Sequence, residues 1–283
     1  MKNIINRLFG SFKSQETKTS LTEDQFLQTD EVIQFLKSYH KSTTLLNPKF
    51  CEEEISIERS KMGGLPNLRN FEYYPSCKNC NNKLNFVIQI YKKEHPNFYF
   101  PIDHDLFQLF RCPNMDCESS FSMKHDLPMY FYYFSDDQNS AQLELPKEQY
   151  SSTLESRIPN CILNPKNKAD YPNFDDYDED IDSLISEKYG EQWCDYMVDN
   201  LSAKLGTKYN GYPSWTQSPD RPICTCGKEK YFIFQLASEE FKYDKKKDAY
   251  SDHGIMIGDL GNIYIFICKE CGIDSIESTW DCY

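Results

Sequence analysis

No apolar run in the sequence approaches the roughly 18 residues that a membrane-spanning helix needs, which excludes a membrane partner of that kind. An excess of positive charge is lacking too. Against 44 Asp and Glu stand 31 Lys and Arg, a formal net charge of −13. Phosphate backbones are held by clustered Lys and Arg, so nucleic acid is excluded as the main partner. The N-terminus, MKNIINRLFGSFK, sets Ile4, Ile5, Leu8, Phe9 and Phe12 at helical spacing among Lys2, Arg7 and Lys13. It has neither the continuous apolar stretch nor the small-residue cleavage site of a signal peptide. It reads as a lightly docked tail, with a short amphipathic segment as the alternative, and the expected location is cytoplasmic. Catalytic signatures are missing as well: no GxSxG elbow, no phosphate loop, no HExxH. Gly63-Gly64 and Gly211 are followed by Pro66 and Pro213, which points to tight turns and not to a phosphate cradle. The expectation is a protein that is not an enzyme.

Aromatic residues and cysteine are plentiful. The 283 residues include 20 Tyr, 19 Phe and 12 Cys. That aromatic content can fill a sizeable core and argues against disorder. Without an export signal, so many cysteines read as metal ligands before they read as disulfides.

Their placement reveals a repeat. KMGGLPNL (Lys61 to Leu68), SCKNC and LNFVIQIY in the first half correspond to KYNGYPSW (Lys208 to Trp215), ICTC and YFIFQLAS in the second. Gly64 and Gly211, Pro66 and Pro213, and Cys77 and Cys224 are each 147 apart; Cys80 and Cys226, and Gln89 and Gln235, are 146 apart. Each unit closes on an apolar run that ends in a second cysteine pair, LFQLFRCPNMDC and NIYIFICKEC. The expectation is an α+β, strand-rich fold built from an internally duplicated β-sheet unit, with two zinc-ribbon-like four-Cys sites and flanking helices.

LNFVIQIY, LFQLFRC, YFIFQLA and NIYIFIC are short aromatic and β-branched runs bounded by polar turns, and read as strands in paired hairpins. Phe26 to His40, preceded by candidate caps Thr22 and Thr29, reads as one or two helices. Ile181 to Leu205 reads as a second helical stretch, stopping at Gly206. The organisation expected is a flexible tail (1–20), a first half with helix and zinc site (21–134), an acidic polar linker (135–180) and a second half with helix and zinc site (181–283). The halves are expected to form one compact domain. The linker holds Asp175, Asp176, Asp178, Glu179, Asp180 and Asp182. Such a run reads as a solvated loop, or in a sharper reading as a docking surface for a basic partner.

Two four-thiolate sets follow: Cys77, Cys80, Cys112 and Cys117, and Cys224, Cys226, Cys268 and Cys271. Zinc in structural sites takes four tetrahedral ligands, which two short cysteine loops can supply. Asn81, Gly227 and Gly272 each follow a cysteine and tolerate the positive φ of a chain curling round a metal. Closed four-Cys sites keep no position for a bound water, so both Zn2+ sites are read as structural. The alternative is buried free thiols or disulfides. Cys51, Cys161 and Cys282 share no spacing and receive no role, and Cys194 reads as packed on its helix. His104 and His125 flank the first set and read as loop histidines.

KMGGLPNL, LNFVIQIY and FYFPIDHDLFQLF, with LGTKYNGYPSWTQ, YFIFQLAS and IMIGDLGNIYIFI, resemble segments of the YwqG-like family of uncharacterised proteins. Ile257 stands where that family usually has Trp. The cysteines are similar to those of the programmed cell death protein 2 family, in which a GG-x-P turn precedes a Cys pair, a strand with Gln, and a closing Cys pair. Eukaryotic members of that family act as chaperones for a basic ribosomal protein, which the resemblance extends to this chain as an expectation. The leading function is thus a non-catalytic, zinc-stabilised protein-binding module, chaperone-like for a basic client. The alternatives are an enzyme of unknown chemistry, with Gln89, Gln235 and Trp215 around a pocket, or an immunity or stress partner, a suspected role of some YwqG-like proteins. The blander reading of those three residues is that the Gln amides satisfy backbone groups and Trp215 packs the core.

Overall fold

In the computed structural model the described residues are 21–68, 71–114, 117, 129–132, 158–173, 176, 179–240 and 251–283. The N-terminal segment 1–20, the whole of 135–157, and His125 lie outside them. The fold is strand-rich α+β, with two sheets, four helices and two four-Cys clusters among the described residues.

Each sheet has six antiparallel strands. The first contains β1 (Lys41–Leu45), β8 (Lys166–Asp170), β9 (Lys208–Asn210), β10 (Tyr231–Ala237), β11 (Asn262–Ile267) and β12 (Glu277–Asp281), in the order β12-β11-β10-β9-β1-β8. The second contains β2 (Lys49–Phe50), β3 (Lys61–Met62), β4 (Asn85–Tyr91), β5 (Leu106–Arg111), β6 (Met129–Tyr132) and β7 (Cys161–Ile162), in the order β2-β7-β3-β4-β5-β6.

The aromatic and β-branched runs form the long central hairpins, as their composition predicts. In β4 the register slips between Phe86 and Ile88, and in β10 between Phe232 and Phe234. A bulge of this kind changes which face successive side chains meet. Val87 and Ile88, and likewise Ile233 and Phe234, are neighbours in sequence that join one core cluster. That cluster draws Ile90, Phe107 and Leu109 from one sheet and Leu236, Ile263 and Ile265 from the other. Phe107 and Phe234 lie 5.8 Å apart between ring centroids, and Phe98 packs edge-on to Phe234 and Tyr209. Burying one such ring contributes about 1.5–3 kcal/mol.

The segment expected to be linker is partly sheet. β7 and β8 fall within it, and Cys161 is fully buried. KNKAD and KSTTL carry no apolar alternation because backbone pairing holds them, with the registers Lys41↔Asp170 through Leu45↔Lys166. The chain changes sheets twice in this region, between β1 and β2 and between β7 and β8. The two crossings are tied by Asn164 N–H donating to the Leu46 carbonyl at 2.8 Å.

Four helices pack as a separate layer. Phe26 to His40 resolves into α1 (Glu23–Leu27) and α2 (Asp30–Tyr39), and Thr22 makes a capping box with Gln25. The second stretch divides into α3 (Glu179–Tyr189) and α4 (Glu191–Asn200). Gly190, at φ 110°, breaks it, and α4 ends before Gly206 because Leu201 already caps it. Phe26 stacks on Trp193 at 4.2 Å, with Val32, Phe35, Ile185 and Met197 around them. Cys194 packs against the edge of this cluster.

Candidate metal centres

Each cysteine set is brought together at the open end of a central hairpin. Cys77 and Cys80 sit in a knuckle just before β4, where Cys77 N–H donates to Asn82 O at 2.8 Å and Asn81 N–H to Cys77 O at 2.9 Å. Cys112 directly follows β5, and Cys117 turns back through its N–H to Asn114 O. The second set repeats the arrangement before β10: Cys224 N–H donates to Lys228 O and Gly227 N–H to Cys224 O, both at 2.8 Å. Cys268 follows β11, and its N–H donates to Ser275 Oγ at 2.8 Å. Asn81, Gly227 and Gly272 have φ of 60°, 83° and 67°, the left-handed turn expected after a ligating cysteine.

The sulfur geometry decides between bond types. Within each set of four, the Sγ atoms all lie within 4.8 Å of one another. Cys77 to Cys117 is 3.7 Å and Cys80 to Cys112 is 3.5 Å; Cys224 to Cys271 and Cys226 to Cys268 are each 3.6 Å. A disulfide needs about 2.05 Å, and all twelve thiols are free. A tetrahedral ion with metal–sulfur bonds of about 2.3 Å has sulfur–sulfur edges of about 3.8 Å. The two sets are therefore geometrically able to hold one metal ion each.

The thiols within the sets differ in acidity. Burial pushes the Cys112 thiol up to about 12. In the second set the Cys226 backbone N–H holds the Cys224 thiol down at about 6, while hydrogen bonding to Cys224 pushes Cys271 up to about 12. Protons are shared unevenly within such a set, and four thiolates coexist there only around a cation. The sets differ in access. Cys77, Cys112 and Cys117 are buried and Cys80 half-buried, whereas Cys226 and Cys271 are exposed.

The other candidates resolve differently. His104 is apart from the cluster and turns its Nδ1 to the Ile102 carbonyl at 2.8 Å. Gln89 Oε1 accepts from Asn67 N–H at 3.0 Å, and its Nε2 donates to the Ile57 and Arg59 carbonyls. Gln235 Oε1 accepts from Ser214 N–H at 2.9 Å, and its Nε2 donates to Gly206 O and Ser214 Oγ. Both amides thus clamp the turn that precedes each cysteine pair. Trp215 packs on Tyr264 and Phe266. Its Nε1 donates to Asp176, which also binds Arg221 at 2.7 Å. Asp176 is therefore buried, not part of a solvated acidic loop; Asp175 and Asp178 lie outside the described residues.

Sequence reasoning passed over two buried lysines and left His253 without a role. Lys61 and Lys208 are fully buried on β3 and β9, opposite Gln89 and Gln235. Lys208 pairs with Asp170 at 3.2 Å, and Lys61 donates to the Ile55 carbonyl at 2.6 Å. His253 is buried against Glu240 at 3.2 Å. The one signal available was lysine at the start of both similar segments, KMGGLPNL and KYNGYPSW, since a surface lysine has no reason to recur.

Residues 60–282 match the family described as "Domain of unknown function (DUF1963)", in which YwqG-like proteins also fall. No curated protein matches the chain.

Proposed function

The chain belongs to the DUF1963 family, and from that premise we propose that it is a non-catalytic protein-binding module whose sheets are pinned by two structural zinc ions. The single observation that carries the reading is the pair of closed four-sulfur sets with edges near those of a zinc tetrahedron. Each ion would be held by Cys77, Cys80, Cys112 and Cys117, or by Cys224, Cys226, Cys268 and Cys271. With all four positions filled by sulfur, such an ion supplies folding free energy and leaves no site for a reacting water. Four thiolates and one Zn2+ carry a net −2, which Lys78 and Lys83 beside the first set partly offset, whereas Lys228 beside the second is paired with Glu270.

Duplication of one unit is part of the proposal. Lys61↔Gln89 and Met62↔Ile88 in one sheet are matched by Lys208↔Gln235 and Tyr209↔Phe234 in the other. The bulges, the glutamine clamps and the knuckle hydrogen bonds coincide at the same offset. A duplicated, metal-pinned scaffold with −13 net charge suits recognition of a basic protein, the client chemistry that the resemblance to programmed cell death protein 2 implies.

Affinity capture in cytoplasmic extract at low and at high ionic strength tests the partner. A basic client retained at low salt and released at high salt is the expected result. A partner held equally at both, or one that is acidic, would overturn the basic-client reading while leaving the metal centres untouched.

A further inference from the structure

An open cleft of about 400 Å3 lies where the ends of β1, β9 and β10 meet the loop ahead of β5. Lys41, Asn97, Tyr99, Asn210, Tyr231 and Lys269 line it, and no Asp or Glu does. That is unexpected in a chain with 13 more acidic than basic side chains. Both ammonium groups are propped on aromatic faces: Lys41 Nζ lies 3.8 Å from the Tyr212 ring centroid, and Lys269 Nζ 3.9 Å from that of Tyr231. A cation–π contact positions a lysine without neutralising it. Among the described residues no ion pair reaches either lysine.

The other donors are similarly unspent. Tyr99 and Tyr231 are half-buried, and neither hydroxyl has a hydrogen-bond partner among the described residues. Burial raises both phenols, so they stay protonated and able to donate. Asn210 uses its amide N–H2 on the Asn97 carbonyl at 2.8 Å, which fixes one wall of the cleft. Burial, with Arg221 in the neighbourhood, pulls Lys41 below its usual value against the opposite pull of Asp170, Glu229 and Asp176, none of which lines the cleft.

We propose that this cleft binds a small molecule carrying a phosphate monoester. Two fixed ammonium groups match the near-double charge of a monoester at neutral pH, and the tyrosine hydroxyls supply donors to its oxygens. A carboxylate would leave one lysine unmatched. The volume lies within the range of small-ligand sites, about 300–1,000 Å3. Lys269 stands between Cys268 and Cys271, so the cleft adjoins the second cysteine set, but its charge comes from lysines and it predicts no change in metal content.

Calorimetric titration of the full chain tests it, using O-phosphoserine, serine, inorganic phosphate, acetate and a phosphoserine-containing peptide at fixed ionic strength. Saturable 1:1 binding of O-phosphoserine, with inorganic phosphate weaker and serine and acetate silent, is the expected result. Lys41→Gln and Lys269→Gln should each weaken it by about tenfold, the worth of one charged hydrogen bond. Unfolding temperature and metal content should be unchanged in both variants. Absent binding, equal affinity for acetate, or indifference to both substitutions would overturn the proposal. Binding of the phosphopeptide alone would also overturn it, by assigning the cleft to a protein partner.

Discussion

Substituting Asp170 by alanine removes the acceptor for three donors at once: Lys208 Nζ at 3.2 Å, Lys204 N–H at 2.7 Å and Tyr212 N–H at 2.8 Å. The side chains of Asp170 and Lys208 are wholly enclosed, so water cannot take the place of the carboxylate. Burial already pulls Lys208 down to about 8 with Asp170 beside it. Stripping the partner from a buried charge costs roughly 3–5 kcal/mol. The two orphaned amides add to this, but they share one relaxation with the lysine, so about 4 kcal/mol is the expected loss. In urea, with a slope of about 3 kcal/mol per molar for a chain this long, the midpoint should fall by about 1.3 M. Tryptophan fluorescence reads the transition, because Trp193 and Trp215 are both buried. A second variant, Asp170→Leu with Lys208→Met, replaces the ion pair by apolar volume and should recover part of the loss. A midpoint for Asp170→Ala within about 0.3 M of the wild type would refute the reasoning. So would a double variant no more stable than the single one.

Lys61 gives a prediction with a pH signature. Burial holds it at about 8, against 10.5 for the free side chain, so the native state binds fewer protons across that window and stability from this group rises with pH. Lys61→Met should therefore be the more stable form at pH 7, by up to about 3 kcal/mol, with the advantage fading between pH 8 and 10.5; a pH-independent difference would contradict this. Gln89→Leu and Gln235→Leu each orphan a buried turn amide, of Asn67 and of Ser214. Chemical denaturation should show similar losses of about 1–3 kcal/mol for the two, and a loss in only one would separate their roles. Because Cys226 and Cys271 are exposed while Cys77, Cys112 and Cys117 are buried, a chelator with an alkylating agent should label the second set first. Simultaneous labelling would show that access does not govern metal loss.

The strands that carry their own apolar runs, β4, β5, β10 and β11, were legible in the sequence because side chains facing a core must be hydrophobic. So were the eight cysteines, through the spacing that two knuckles and two closing pairs impose. β1, β8 and β12 were not. KSTTL and KNKAD are polar and are held by ladders to strands distant in sequence, a non-local cause that no local pattern records, while polar ESTWD is held by its neighbour β11. The linker expected over 135–180 contains β7 and β8, which were missed for the same reason. The helical stretch from Ile181 was read as unbroken because hydrophobic spacing continues across Gly190, and only the backbone at φ 110° reveals the break. Buried Lys61 and Lys208 contradict the ordinary rule that lysine lies outside, and the rule concealed them.

Metal content measured alongside stability tests the central claim most directly. Elemental analysis of the purified chain should find two zinc ions, with one left in Cys112→Ser and one in Cys268→Ser, and chelation should lower the unfolding temperature of the wild type. A folded, metal-free chain whose unfolding is indifferent to chelator would contradict the account.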